Sequence, residues 1–596
     1  MRIHPNPRGH SLAADRIKAR CPHWLVALLS YTLLTLAATY PAVKFLSTHL
    51  VGAGDTLVNL WSLWWTPWAL SHRSSLFFTS MLYHPDGVSL AYHTLSPFNG
   101  VLSLLFNTVL GMNLVLTYNI ITLLAFVASG MSMYLLARML TGSPSAAFVA
   151  GVIFVFSPYR MGRVYYGTFI LYTTQFIPLQ VLFLERMKND QHQWRYALAA
   201  AVALSLTAWC SLELAFGAGI LSVMVLVFNL IGTKAWRRYL RQWVVFVLVT
   251  CVLVSPIAVA MLRDSGEFED QSVPIDGAIS NSADLLGFII PDRSTMLSAL
   301  ERAGLEFVGQ ITRSVYSSFQ GNGCEKTVFI GYTIIVMTGV SLIVGSGTVR
   351  KWAIIAASFM VLCLGPILHI AGKSLWYLPY RLFFYFPLIK FGRSPSRLAL
   401  FAMLALAIVV ALGCSALERK HRWFSWVTLL IGGMIFVEFL IIPLRLDADP
   451  TTIPSYYLTG RDTGDGAILD IPIDLYGAQG PAAQYMLYQT VHERPIVGGY
   501  ISRTPNKALY PFRSPFLYEL RARIYGDSDI YEFSPEMLAE GLENLRMLDV
   551  ELVILHKDLL PQEDSSAIDQ ALDYLLSPAE FQDDTIVVWR VPSGDE

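Results

Sequence analysis

Charge is what this chain has least of. Only 15% of its 596 residues are Asp, Glu, Lys or Arg, where a soluble protein of that length carries roughly 25%. With 54% hydrophobic residues and a mean hydropathy of +0.48, that deficit excludes an ordinary soluble globular protein. The net charge of −1 leaves no electrostatic footprint for a nucleic-acid partner. Cysteine is scarce as well. Cys21, Cys210, Cys251, Cys324, Cys363 and Cys414 show neither metal-ligand spacing nor a disulfide framework, and all but Cys324 lie in or beside apolar runs. No internal repeat or low-complexity tract stands out.

What is present is a series of eleven long apolar runs, roughly 24–43, 114–137, 145–159, 168–185, 196–213, 215–232, 243–262, 327–346, 352–371, 397–417 and 423–443. Each is near the ~20 residues a bilayer requires, although 145–159 is short. The stretch 96–112 is apolar but broken by Pro97, Asn99, Gly100 and Asn107. It reads as an interfacial or re-entrant helix, because counting it as a span puts Arg138 on the wrong side. A basic leader (Arg2, Arg8, Arg16, Lys18, Arg20) precedes the first run. That run is long enough to span and lacks a small-x-small cleavage site, so it reads as a retained helix and not a signal peptide.

Basic clusters at Arg186/Lys188/Arg195, Lys234/Arg237/Arg238/Arg241, Arg350/Lys351 and Arg419/Lys420/Arg422 all fall on the leader's side of the membrane, as the positive-inside rule asks. The expected protein is therefore mainly α: a polytopic transmembrane helix bundle, multi-pass in the plasma membrane, with its N-terminus cytoplasmic. Residues 1–23 are the cytoplasmic leader. Residues 24–443 are the bundle, with large outer loops at 44–113 and 263–326, and 444–596 form an extracytoplasmic soluble α/β domain. In that domain Ala467–Pro472, Pro495–Tyr500, Val550–Leu555 and Thr585–Arg590 read as strands. Helical patterns lie at Ala482–His492, Pro535–Leu545 and Ser566–Leu576.

The first outer loop opens with Gly52-Ala53-Gly54-Asp55, followed by Trp61, Trp64, Trp65 and Trp68. The glycines let the backbone turn, and Thr56–Leu70 fits an amphipathic helix with its tryptophans at headgroup depth. A carboxylate at that interface can deprotonate a hydroxyl or amine acceptor beside a lipid-linked co-substrate. The plainer reading makes Asp55 the N-cap of the helix, accepting from the amides of Leu57 or Val58. His49, His84 and His93 share the loop with two acids; a divalent cation there is conceivable, but their spacing matches no metal motif and solvated loop histidines fit better.

This layout resembles the GT-C superfamily of integral-membrane glycosyltransferases over about residues 24–260: one span, a large outer loop with an early Asp, further spans with short inner loops, and a C-terminal outer domain. The local matches are Gly54-Asp55 and His84-Pro85-Asp86-Gly87. The tail, with Ala467–Pro472 and Pro495–Tyr500, looks like that of bacterial membrane proteins grouped near these enzymes. The resemblance implies that Asp55 is the catalytic base, that the donor is a polyprenyl-phosphate-linked sugar, and that the acceptor is a glycan, a lipid or a protein. A second acid is usual in such enzymes. Asp86 lies in a good turn sequence. Glu213 lies where one span ends and the next starts, and costs about 2.5 kcal/mol or more to bury at mid-bilayer, so it should face a cavity or a partner. The second outer loop, Ser157–Thr168, departs from the family in holding no acid.

That loop carries Arg160 and Arg163 instead, and Lys390, Arg393 and Arg397 precede a later span. Guanidinium forks at the outer face fit phosphate oxygens, or alternatively ion pairs with the outer domain or with lipid headgroups. Two other classes compete with a glycosyltransferase. A lipid-linked saccharide transporter predicts inverted repeats and broken helices near the midplane, which the sequence does not show. A non-catalytic envelope scaffold has no use for the acid at Asp55.

Overall fold

The computed structural model describes residues 22–189, 193–231, 235–271, 275–291, 306–321, 323–385, 394–441, 443–447, 453–458, 464–474, 480–524, 534–560, 562–576 and 578–592. Each of the eleven expected spans contains a helix. Among the described residues, five helices are long and apolar enough to cross a membrane: Leu114–Thr141, Pro144–Tyr165, Leu212–Ile231, Trp236–Arg263 and Pro395–Lys420. His23–Ala38, Tyr332–Val344 and Phe424–Phe439 are apolar but shorter. The chain is thus a helical membrane protein, whose helices differ from the sequence reading in three places.

The run 145–159 is not short. Pro144–Phe156 is followed at once by Pro158–Tyr165, where Pro158 opens the second helix because its missing N–H is not needed in a first turn. The run 168–185 becomes helical only at Phe176, after a tight 3₁₀ turn at Phe169–Leu171. The run 352–371 ends as helix at Cys363. Beyond it β3 (Ile367–Ile370) pairs antiparallel with β4 (Lys373–Tyr377); Ala371 and Gly372 between them both take positive φ (51° and 76°), as a two-residue hairpin turn demands. An earlier hairpin, β1 (Phe78–Thr79) with β2 (Val88–Ser89), lies in the first outer loop.

Burial follows composition. The Ala/Leu/Val-rich helix Ala399–Lys420 is apolar all round and forms the centre of the bundle. Trp236–Arg263 has only 11% of its most apolar window buried, so it presents Val244, Val247, Leu248 and Val252 outward, a lipid-facing surface.

The C-terminal region folds around a four-stranded sheet in the order β5-β6-β8-β7. β5 (Ala467–Ile471) and β6 (Val550–His556) are parallel, whereas β8 (Ile586–Arg590) is antiparallel to both β6 and β7 (Phe581–Gln582). Helices Pro481–His492, Pro535–Met547 and Gln562–Leu576 accompany it. The segment 495–500 is not a strand: one bridge joins Ile496 to Ile468, and its other side is taken by the first outer loop. Ile496 N–H donates to Met81 O (2.9 Å), Tyr83 N–H to Gly498 O (3.0 Å) and His84 N–H to Ile496 O (3.2 Å).

The tryptophans explain why that docking is firm. Trp61, Trp64 and Trp65 are buried in one hydrophobic cluster with the sheet residues Ile468, Leu552 and Val588, and Trp61 stacks on Trp65 at 5.5 Å. They are therefore packed inside the protein and do not face a membrane interface: the helix Thr56–Ser71 is buried on nearly every side, and a helix apolar all round seeks protein. Trp61 Nε1 donates to Gln489 Oε1 (2.8 Å), and Gln489 Nε2 donates to Met81 O (2.6 Å) and Arg494 O (2.9 Å).

Replacing Gln489 by Leu keeps the volume but strands a buried indole N–H and two carbonyls. Each orphaned group costs about 1–3 kcal/mol. Gln489→Leu is expected to lower the unfolding temperature in detergent and to speed tryptic cleavage between the outer loop and the tail. An unchanged digestion pattern would show that this glutamine does not hold the two together.

Candidate active site

Backbone contacts fix Asp55. Gly52 has φ +89°, and a Cβ there would lie 2.1 Å from Val164 O, so only glycine lets this turn approach the helix Pro158–Tyr165. Gly52 N–H donates to Arg445 O (2.9 Å) and Ala53 N–H to Tyr165 O (3.2 Å). Asn59 Nδ2 bridges Asp55 O (2.6 Å) and Gly167 O (3.1 Å). The Asp55 carboxylate makes no capping bond to the helix it precedes. It lines a cavity of about 180 Å³, shared with Asn59, His93, Glu213, Arg397 and Arg503 and walled in part by Leu90, Ile257 and Met261.

Glu213 reaches this cavity from the first turn of Leu212–Ile231, where the helix dipole favours a carboxylate. Arg397 Nη1 donates to Glu213 Oε2. The same guanidinium donates through Nε (3.1 Å) and Nη2 (2.9 Å) to Glu325 Oε1. Glu325 also accepts a fork from Arg163, Nη1 to Oε1 at 3.1 Å and Nη2 to Oε2 at 2.7 Å, and a hydroxyl bond from Ser396. Burial pushes the Glu325 carboxyl up, but Arg163 and Arg397 overcome this and hold it well below the usual carboxylate range. Two cations and two anions thus form one neutral cluster beneath the cavity. The sequence reading of loop 263–326 does not single out Glu325; its place just before the apolar run 327–346 is the available signal.

The structure brings Asp55, Glu213 and Arg397 together. Asp86 does not join them; it is exposed in the turn between β1 and β2 and does not line the cavity. Arg160 and Arg163, three residues apart and so on one helix face, both point into the bundle and are fully buried. Arg160 donates to Val155 O (3.2 Å) and Tyr172 O (2.7 Å) and lies over the Phe126 ring; neither arginine lines the cavity. Arg393 and Lys390 lie outside the described residues.

The histidines do not converge. His49 bonds with Thr48 and His84 faces Asp549 at 3.8 Å. His93 lines the cavity, its Nδ1 accepting from Ser502 N–H (3.2 Å); burial pushes its imidazole down to about 4. It is therefore no solvated loop histidine. Among the described residues no group of three or more His, Cys, Asp or Glu is placed to hold a metal ion; Asp55 and Glu213 are the cavity's two carboxylates.

No protein-family model matches the sequence, and no curated protein matches it. Solved structures do. The chain is similar to the arabinofuranosyltransferase AftD from Mycobacteria, with a TM-score of 0.56 and 15% identity over 96% of this chain and 40% of that one. It thus spans about two-fifths of AftD's length. The oligosaccharyltransferase AglB from Archaeoglobus fulgidus (TM-score 0.43, 13% identity, 90% of this chain and 69% of that one) and ArnT from Cupriavidus metallidurans (0.43, 12%, 96% and 98%) also match. The chain has the GT-C fold, and the resemblance read from the sequence holds at that level.

Glu325→Gln leaves two buried guanidiniums short of a counter-charge, and breaking such a pair costs about 3–5 kcal/mol. Because the folded carboxyl is depressed, the stability it contributes is present above the unfolded value of about 4.3 and fades as pH falls below it. Thermal unfolding from pH 7 to pH 3 is expected to show a steeper acid-side loss in the natural protein than in the less stable Gln variant. Parallel curves would remove Glu325 as the cluster's anchor.

Proposed function

We propose that this protein is a membrane glycosyltransferase that moves a sugar from a polyprenyl-phosphate-linked donor to an acceptor at the outer face of a plasma membrane. The observation that carries the reading is that Asp55 and Glu213 share one cavity whose wall includes Ile257 and Met261. Those residues belong to Trp236–Arg263, the least buried of the five long apolar helices and so the one best placed to face lipid. A lipid-borne phosphate and a water-borne acceptor can meet there. The GT-C fold supports the class of reaction as an analogy of fold.

The acceptor's hydroxyl oxygen attacks C1 of the sugar. Its proton passes to the Asp55 carboxylate. The C1–oxygen bond to the phosphate breaks with its electron pair, which leaves on the polyprenyl phosphate, and direct attack inverts the anomeric centre. Glu213, oriented by Arg397, offsets the positive charge that grows at C1. Arg397 is thus a positioning residue, because its donors are directed to Glu213 and Glu325. The acceptor is a glycan, a lipid or a protein, and the N-terminus and the tail lie on opposite sides of the membrane, the tail outside.

Asp55→Asn keeps the size and backbone preferences of the residue but cannot take a proton. Turnover is expected to fall by about 10²–10⁴-fold, with folding retained because Asn supports a helix start about as well as Asp does. AftD is an arabinofuranosyltransferase, so a labelled polyprenyl-phosphate pentofuranose is the first donor to give the protein in reconstituted vesicles, followed by hexose donors. Full turnover by the Asn variant would remove Asp55 as the base.

A further inference from the structure

The cavity has a second arginine that the membrane bundle does not supply. Arg503 belongs to the C-terminal domain and lines the same space as Asp55 and Glu213. It lies near Tyr92, whose phenol burial pushes up and Arg503 partly brings back. Arg397 is a poor candidate for a charged leaving group, since three of its donor contacts go to Glu213 and Glu325 and the Arg163–Glu325–Arg397–Glu213 cluster is already neutral. Asp55 adds a further negative charge. A departing phosphate therefore needs a cation from elsewhere on the wall.

His93 adds an independent observation. Its Nδ1 accepts from Ser502 N–H, so the neutral ring carries its proton on Nε2. That Nε2 is buried and has no hydrogen-bond partner among the described residues. A buried donor left unmatched costs free energy and is the sort of group a bound anion would satisfy. Ser502 and Arg503 are neighbours, so the same stretch of tail sets the histidine's tautomer and delivers the guanidinium.

We propose that Arg503 and His93 Nε2–H form the subsite for the donor's phosphate, so that the C-terminal domain completes the site. The guanidinium fork grips two phosphate oxygens and the imidazole N–H a third. The charge left when the C1–oxygen bond breaks then rests on a residue of the tail. This rests on the donor class proposed above, and its test separates the two.

The full-length protein in lipid nanodiscs is given three probes: a polyprenyl monophosphate, the uncharged polyprenol of equal length, and inorganic phosphate. The natural protein is expected to prefer the lipid phosphate to the polyprenol by about 100-fold. Arg503→Gln should cut that preference by about 10- to 100-fold, Arg503→Lys by less because charge is kept, and His93→Gln by about 3- to 10-fold. Undiminished preference in both Gln variants would overturn the subsite and leave the donor class standing. No preference in the natural protein would overturn the donor class and the subsite together. Displacement by inorganic phosphate at equal concentration would assign the subsite to a soluble phosphate and overturn the lipid assignment. If Arg503→Gln fails to fold, Arg503→Lys and His93→Gln decide.

Discussion

Four charged side chains hold the rest of this site in place. Arg163, Glu325, Arg397 and Glu213 come from four segments far apart in sequence, and they run from the fully buried Arg163–Glu325 pair to Glu213 at the cavity wall. Neither Arg163 nor Glu325 is stable there alone, since each ion loses several kcal/mol of hydration on burial. Together they are neutral, and the forked Arg163–Glu325 contact and the three-donor reach of Arg397 satisfy most of their hydrogen-bonding capacity. The consequence is positional. Glu213 is oriented because Arg397 is held, and Arg397 is held because Glu325 is already fixed by Arg163.

Above this cluster the cavity is closed by pieces that belong to different parts of the chain. The Asp55 turn is pressed against Val164 and Gly167 through Gly52, where no side chain fits. The tail reaches the same space through Tyr500, Ser502 and Arg503. It can do so because segment 495–500 bonds to β5 on one side and to the outer-loop segment Met81–His84 on the other. The buried tryptophans of Thr56–Ser71 tie the two together, since they pack in one hydrophobic cluster with the sheet. The sheet domain is thus a wall of the site and not a detached appendage.

The positions of the helices were largely legible because burial in lipid or protein demands long apolar runs, and these are visible without any partner. The strands of the tail were legible for a similar reason: Ala467–Ile471 and Val550–His556 are short, β-branched and bounded by turn residues. The segment 495–500 misled because its composition is strand-like, yet its pairing is divided between a sheet and a loop about 400 residues earlier. Trp61, Trp64 and Trp65 misled because an aromatic stripe beside a membrane has two apolar destinations, the lipid interface and a protein core.

Sequence by itself determined that this chain is a helical membrane protein with a sheet-containing tail, that Asp55 lies in the first outer loop and that Glu213 sits at a span end. These follow from local pattern, the length of apolar runs and the cost of placing a carboxylate inside one. Which arginine faces the cavity was decided only by the tertiary structure. Arg160, Arg163, Arg397 and Arg503 are alike as letters, but their roles depend on which carboxylate or carbonyl each meets and on whether it lines the cavity. Glu325 takes two of them out of play by pairing with them, and that pairing depends on distances between segments, which the order of residues along the chain does not specify.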